Sequence, residues 1–432
     1  MATQIKLQEP ILDSGISSIN YFTGRLLTAS DLSREKAANR EADRRLGRAL
    51  GEGVAYGLEV RPSPESKIDT PVLQIEPGLS VNRAGQTLSL RNRTDLTLVR
   101  QAEAGASGSS LFTECQPIQT GTYIAGQGVY LLTIAPAERR EGRALVSGLG
   151  NEAASCNTDT IIESVQFRLI QIDSFLDQNE LQDERLLRNR LAYRCFGATQ
   201  TRAFPGNPFS PPLDRYGLLD ELRKNVLTDC DAPLAVIYWT LSGGIEFVDM
   251  WAVRRGLTSR ERDRRWQWLT SDRRLSEAEA EILQFEDQIR DILDTESGVD
   301  GVVATDRFEL LPPVGWLPIK TPAGLMTINN SSASSGFSTQ VFFGTRASRE
   351  LALLDAAQWR SLFHDALCCE AVDLRGKERL QLYLIWENVQ AVERGAATQL
   401  TLAFASPALP YRGVARFGYA KWDLSRVTPS VI

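Results

Sequence analysis

A change of period at residues 51–53 constrains this chain more than any other feature. Before "GEG", apolar side chains recur at helical spacing; after it, "VAYGLEV", "VLQIEPGLSV", "QTLSL" and "TDLTLV" alternate or run in short stretches. "RPSPES", "EPG" and "NRAG" divide those stretches, so the pattern is that of antiparallel strands joined by tight turns. The preceding segment, 28–50, reads as a helix. Thr28 and Asp31 have capping-box spacing, and Leu32, Ala38, Ala42, Leu46 and Ala49 fall on roughly one face. Arg34, Glu35, Arg40, Glu41, Asp43, Arg44, Arg45 and Arg48 occupy the other, with Glu41 and Arg45 at i, i+4. A glycine just past the last periodic residue is the expected stop.

Further strands are expected at 128–135 ("GVYLLTIA") and 160–172 ("TIIESVQFRLIQI"), and a charged helix at 177–196. A Pro-rich passage at 204–217 breaks regular structure. "APLAVIYWTLSGGIEFVDMWAVRR" (232–255) reads as a hairpin turned by "GG", and its "LAVIYWTL" strand lacks a polar face, which predicts burial on both sides. Segment 271–294 predicts the most regular helix, with Leu275, Ala278, Ile282, Phe285, Ile289 and Ile292 alternating spacings of three and four. Ser276 and Glu279 offer it a capping box. That stripe fits either an intramolecular sheet or a second subunit.

A last mixed unit covers "STQVFFG", a helix in "LLDAAQWRSLFHDAL", then strands "RLQLYLIWENV", "QLTLAFAS" and "ARFGYAKWDL". The fold class is therefore α+β, mostly β, with several small antiparallel β-sandwich-like domains and a few intervening helices. The expected divisions are an N-terminal arm (1–27), a helix plus small sandwich (28–105) and a β-rich domain with a C-terminal helix (106–203). A Pro-rich connector with hairpin and long helix (204–320) and a C-terminal α+β unit (321–432) follow. Length permits this, since domains average roughly 100–200 residues.

Chemistry is sparse. His364 is the sole histidine in 432 residues, so a nucleophile–histidine arrangement would have to use it, and it sits in a helical segment. No Cys-x-x-Cys pair exists to begin a thiolate zinc site, no phosphate-cradling G-x-x-x-x-G-K-[ST] occurs, and no EF-hand loop appears. No metal or cofactor is expected. The six cysteines (Cys115, Cys156, Cys195, Cys230, Cys368, Cys369) show no repeating spacing and are read as reduced, with the Cys368–Cys369 pair as buried structural thiols. A carboxylate-based hydrolase stays open only because 54 acidic residues always allow some pair.

The net charge of −6 argues against a nucleic-acid partner. No apolar run is long enough to span a membrane, and the opening "MATQIKLQEPILDSG" lacks a secretory pattern, so the expected location is cytoplasmic. Only seven of the 48 basic residues are lysine, which leaves 48 − 7 = 41 arginines. That balance suits interfacial ion pairs and equally a GC-rich genome. "TSRERDRRWQWLTSDRR" (258–274) mixes Arg with Trp266 and Trp268, the residue types enriched at protein-interface hot spots.

"NYFTGRLLTASDLSRE" followed by "GVAYGLEV" and "LQIEPGLSVNRAGQTLSL" resembles the opening of a family of large proteins encoded in phage-tail-like clusters. "CDAPLAVIYWTLSGGIEFVDMWAVRR", "DRFELLPPVGWLPI", "LQLYLIWEN" and "ARFGYAKWDLS" look like its later landmarks, in order. The resemblance implies a non-enzymatic structural subunit of a contractile injection particle, in or near its baseplate. Its partners would be other baseplate, sheath or spike proteins, with several copies around a symmetry axis. The alternative is a fibre-like receptor- or carbohydrate-binding module on the same particle. No catalytic residue set comes with the resemblance. The candidate interface residues are Tyr21, Phe22, Trp266, Trp268, Leu275, Ile282, Phe285 and Ile289. Beside the resemblance, "NYF" reads as an aromatic plug at the fold's entrance, and residues 1–19 as an arm ordered by partners.

Overall fold

The computed structural model describes residues 15–68, 70–98, 127–142, 159–177, 181, 183–198, 217–258, 272–295, 302–320, 342–343, 346–377 and 379–412. Two compact units emerge, each drawn from two stretches of chain: 1–175 with 219–264, and 176–218 with 265–432. Both are α+β, built on small, mostly antiparallel sheets.

The first unit opens with α1 (Ala29–Leu50), closed at its start by the expected capping box. Thr28 Oγ1 accepts from Asp31 N–H at 3.2 Å, and the Asp31 carboxylate accepts Thr28 N–H at 3.0 Å. Six short strands follow: β1 (Gly53–Gly57), β2 (Val60–Pro62), β3 (Val72–Ile75), β4 (Gly78–Val81), β5 (Thr87–Leu90) and β6 (Thr94–Thr97). They form two three-stranded sheets, β1-β4-β5 and β2-β3-β6.

A third sheet, ordered β10-β9-β7-β8, contains β7 (Gly128–Glu141), β8 (Thr160–Gln171), β9 (Ala232–Thr240) and β10 (Gly244–Asp249). β7 and β8 run in unbroken register from Tyr130↔Gln171 to Glu141↔Thr160. β9 is buried along almost its whole length, as its lack of a polar face predicts. Leu58, Leu73, Ile75 and Leu88 from the small sheets share one core with Tyr130, Leu132, Ile134, Leu234 and Ile237. Sheets facing one another across such a core give the sandwich-like arrangement.

The second unit centres on a four-stranded sheet, β12-β16-β15-β13, and a two-stranded one, β11-β14. The strands are β11 (Leu310–Leu311), β12 (Val314–Lys320), β13 (Ala347–Leu354), β14 (Val372–Asp373), β15 (Leu380–Ile385) and β16 (Gln399–Ala405). Period-two alternation sorts the larger sheet's side chains. Leu382, Leu384, Leu402 and Phe404 join one core with Phe285 and Ile289. Tyr383, Ala403 and Ala405 join another with Trp359 and Leu362. Helices α2 (Glu184–Cys195), α3 (Asp272–Thr295), α4 (Ala356–Ala366) and α5 (Trp386–Glu393) complete the unit.

Several expectations need correction. Ser276 does not cap α3, because the helix already begins at Asp272. Arg273 and Arg274 extend its start through ion pairs with Glu277 and Glu281, each at 2.9 Å. Leu353 and Leu354 belong to β13, and α4 starts after Asp355, whose carboxylate accepts Gln358 N–H at 2.7 Å. The strand in "RLQLYLIWENV" stops at Ile385, where α5 begins. Asn388 holds that helix to β16, accepting from Thr401 N–H at 2.8 Å. Phe342 and Phe343 sit in a helical turn within the core, not a strand. The charged helix is shorter than 177–196, running Glu184–Cys195. Cys230 is disulfide-bonded, which departs from the reduced reading. Cys368 is exposed and Cys369 half-buried, so that pair is not a core pair.

Tyr383 yields a pH test. Its buried phenol donates to Gln381 Oε1 at 2.6 Å, and burial pushes its pKa from 10.0 up to about 12. A folded-state pKa above the unfolded one means the neutral phenol's contribution is full below pH 10 and fades as pH rises toward about 12. Urea midpoints recorded across that window should fall for the native chain and flatten in Tyr383→Phe. Parallel curves would refute the assignment.

Candidate interaction surface

The opening stretch is a folded turn with its apolar side chains outside. Gly24 adopts φ 88°, and Arg25 N–H donates to Phe22 O at 3.2 Å, closing the "FTGR" turn. Arg25 then locks it. Its guanidinium lies 5.9 Å from the Phe22 ring centroid and bonds Asn20 O at 2.7 Å and Asp31 Oδ1 at 3.1 Å. Thr28's hydroxyl and backbone, then Arg25, hold the Asp31 carboxyl below the usual carboxylate range. Upstream, Ile19 is buried and its N–H donates to Glu35 Oε2 at 3.1 Å. Tyr21 and Phe22 are therefore not a plug. Both are exposed, as are Leu27 and Leu26, the latter at 89%.

The helix that follows is equally uncovered. Only Ala38 and Gly47 are buried in its 22 residues. Leu32, Ala42, Leu46, Ala49 and Leu50 are all exposed, Leu46 at 66% and Leu50 at 64%. A helix in a globular core presents its apolar stripe inward; α1 presents this one outward.

What holds α1 in place is on another side. Gly47 approaches Gly85 so closely that a Cβ on Gly47 would lie 2.7 Å from the Gly85 carbonyl carbon. Gly85 has φ 83°, a left-handed conformation that glycine adopts freely. Ion pairs add to this. Arg40 meets Glu138 at 3.3 Å and also Glu163, and Lys36 meets Glu163 at 3.6 Å. The Arg40 hydrogen bond holds the Glu163 carboxyl below its ordinary range despite partial burial. Thus α1 is fixed through charge and a glycine contact, leaving its leucines for something else.

The remaining candidates divide. Ile282, Phe285 and Ile289 are buried in the second unit's own cores, so their side chains are not available as an interface. Leu275, at the start of the same helix, is exposed. Trp266 and Trp268 lie outside the described residues. His364 is exposed on α4. Among the described residues, no cluster of three or more His, Cys, Asp and Glu side chains could hold a metal, and no helix is long and apolar enough to cross a membrane.

The residues that sequence reasoning missed are Leu26, Leu27, Leu32, Leu46 and Leu50. Spacing put Leu32 and Leu46 on an apolar face, but did not show that the face would remain bare.

No protein-family model matches the sequence, and comparison with curated proteins finds no match. Among solved structures, a crystal structure of TssK matches with 10% identity over 45% of this chain and 51% of that one, at a TM-score of 0.20. The chain spans about half the length of TssK. A superposition that loose does not equate the two folds, and TssK lends this chain no role.

Proposed function

We propose that the protein is a structural subunit of a phage-tail-like contractile injection particle, in or near its baseplate, working through protein–protein contacts. The observation that carries this reading is the bare apolar surface formed by Tyr21, Phe22, Leu26, Leu27 and the α1 leucines. Single exposed apolar residues are ordinary on any protein. A run of them on consecutive elements, on a helix secured from another side, marks a contact surface. The ordered landmarks from "NYFTGRLLTASDLSRE" to "ARFGYAKWDLS" supply the kind of assembly. In a particle with rotational symmetry, the subunit is present in several copies around the axis. Its neighbours are baseplate, sheath or spike proteins.

The test uses particles purified from cells producing either the native chain or the double variant Phe22→Glu, Leu26→Glu. Quantitative mass spectrometry should find the native subunit at fixed stoichiometry. The variant should be depleted about tenfold or more, as expected when apolar contacts near an interface centre are lost. Its melting temperature should stay within about 2 °C of native, since neither side chain is in a core. Particles that carry the variant at native levels, or lack the native subunit, would overturn the proposal.

A further inference from the structure

Deepening that reading, and resting on it, we infer that the α1 face takes a second copy of this chain, with the two α1 helices packed antiparallel. The arrangement of side chains and charges along the helix is self-complementary when one copy is reversed. Leu32, Asn39 and Leu46 recur every seven residues, and Ala42, Ala49 and Leu50 widen the stripe. All six are exposed. Leucines stand toward its ends and the one carboxamide at its middle. Reversing one helix about residue 39 brings Leu32 of one copy beside Leu46 and Ala49 of the other. Asn39 then meets its own counterpart at the two-fold axis. A carboxamide both donates and accepts, so the two can exchange N–H to O hydrogen bonds. An Asn at the centre of such a seam fixes register at some cost in stability, because a slip sets it opposite an apolar side chain.

The flanking charges follow the same symmetry. On one side of the stripe stand Lys36 and Asp43; on the other Glu35 heads the row of Ala42 and Ala49 at the same seven-residue spacing, with Arg45 beyond it. In the reversed pair Lys36 faces Asp43 of the second copy. Glu35 lies level with the small Ala42 of the second copy, which leaves its chain room to reach Arg45 there. The two-fold axis generates each pair twice, as an isologous interface requires. A parallel pair in register sets like residues at the same level and loses this matching. Existing contacts leave the face accessible. Lys36 pairs with an exposed Glu163 that Arg40 also holds, Glu35 uses one carboxylate oxygen for Ile19 N–H, and Arg45 pairs with Glu41 at the surface. The helix is about 33 Å long at 1.5 Å per residue, enough for a three-layer seam.

Sedimentation of the purified full-length chain tests this. The native protein should be a dimer at micromolar concentration, and Leu46→Glu a monomer with an unchanged circular-dichroism spectrum. Asp43→Lys should weaken the dimer about tenfold, because two ion pairs become two repulsions. Adding Lys36→Asp should bring the affinity back to within about threefold of native, since reversed charges still match across the two-fold axis. A monomeric native chain, a dimer indifferent to Leu46→Glu, or a double charge reversal no tighter than Asp43→Lys would each overturn the pairing. Failure here is separable from failure of the function proposed above. A native monomer whose Phe22→Glu, Leu26→Glu variant drops out of particles refutes the pairing alone.

Discussion

Asp231→Ala is expected to destabilise the first unit by about 3–5 kcal/mol, the range for removing one partner of a buried charge pair. Asp231 is fully buried at the start of β9. Its Oδ1 accepts from Thr133 Oγ1 on β7 at 3.0 Å and from Arg168 Nη1 on β8 at 2.6 Å. Its Oδ2 accepts from the Thr228 N–H at 2.9 Å and hydroxyl at 2.6 Å. One carboxylate thus fastens three adjacent strands and the turn before them. Alanine leaves the largely buried Arg168 guanidinium with no counter-ion there and leaves buried donors unmatched. Urea unfolding followed by tryptophan fluorescence measures the loss. Replacing both charged partners, Arg168→Met with Asp231→Leu, should recover part of it, because an uncompensated charge costs more than an absent pair. A single-variant loss below about 1 kcal/mol would show that water reaches Arg168 and that the strands are held by apolar packing alone.

Phe285→Ala should cost the second unit about 3–5 kcal/mol, whereas Leu275→Ala on the same helix should change it by no more than about 0.5 kcal/mol. The Phe285 ring is fully buried, 5.3 Å from Phe308 and 5.4 Å from Phe404 between centroids, the second contact edge-on. It also covers Gly315 in β12, whose missing side chain makes room for it. Truncation opens a cavity that a close-packed sheet cannot collapse to fill. Denaturant midpoints for the two variants form the comparison. If both cost the same small amount, α3 packs loosely and its stripe returns as a candidate partner surface.

The contrast between α1 and α3 shows where sequence reasoning reaches its limit. Both segments were legible as amphipathic helices from spacing, and the Thr28–Asp31 cap and the glycine stop of α1 were legible too. These features depend on neighbours within a few residues, and such interactions are written in local order. The strands from 53 to 98 and the two-sided burial of β9 were readable for the same reason: period two and a missing polar face are properties of one segment. One boundary slipped where a distant group intervened: β15 stops at Ile385, and Asn388 in the helix that follows bonds Thr401 on β16. The start of α3 lies within a residue of the expected 271; only its cap was misplaced, and Arg273 and Arg274 pair forward along the helix itself.

The α1 helix with its cap and glycine stop, and the short strands and turns that follow it, were settled by the sequence alone, because steric and hydrogen-bonding preferences act over a few bonds. Which apolar stripe is covered was decided only in three dimensions. The α3 stripe meets a sheet built from residues 314–320 and 380–405, while α1 is seated by Gly85, Glu138 and Glu163 along a flank that leaves its leucines uncovered. The Asp231 network likewise joins Thr133, Arg168 and Thr228, which no local pattern relates. Burial is a relation between surfaces brought together by folding, so an amphipathic pattern records that a helix has an apolar face and not what, if anything, that face meets.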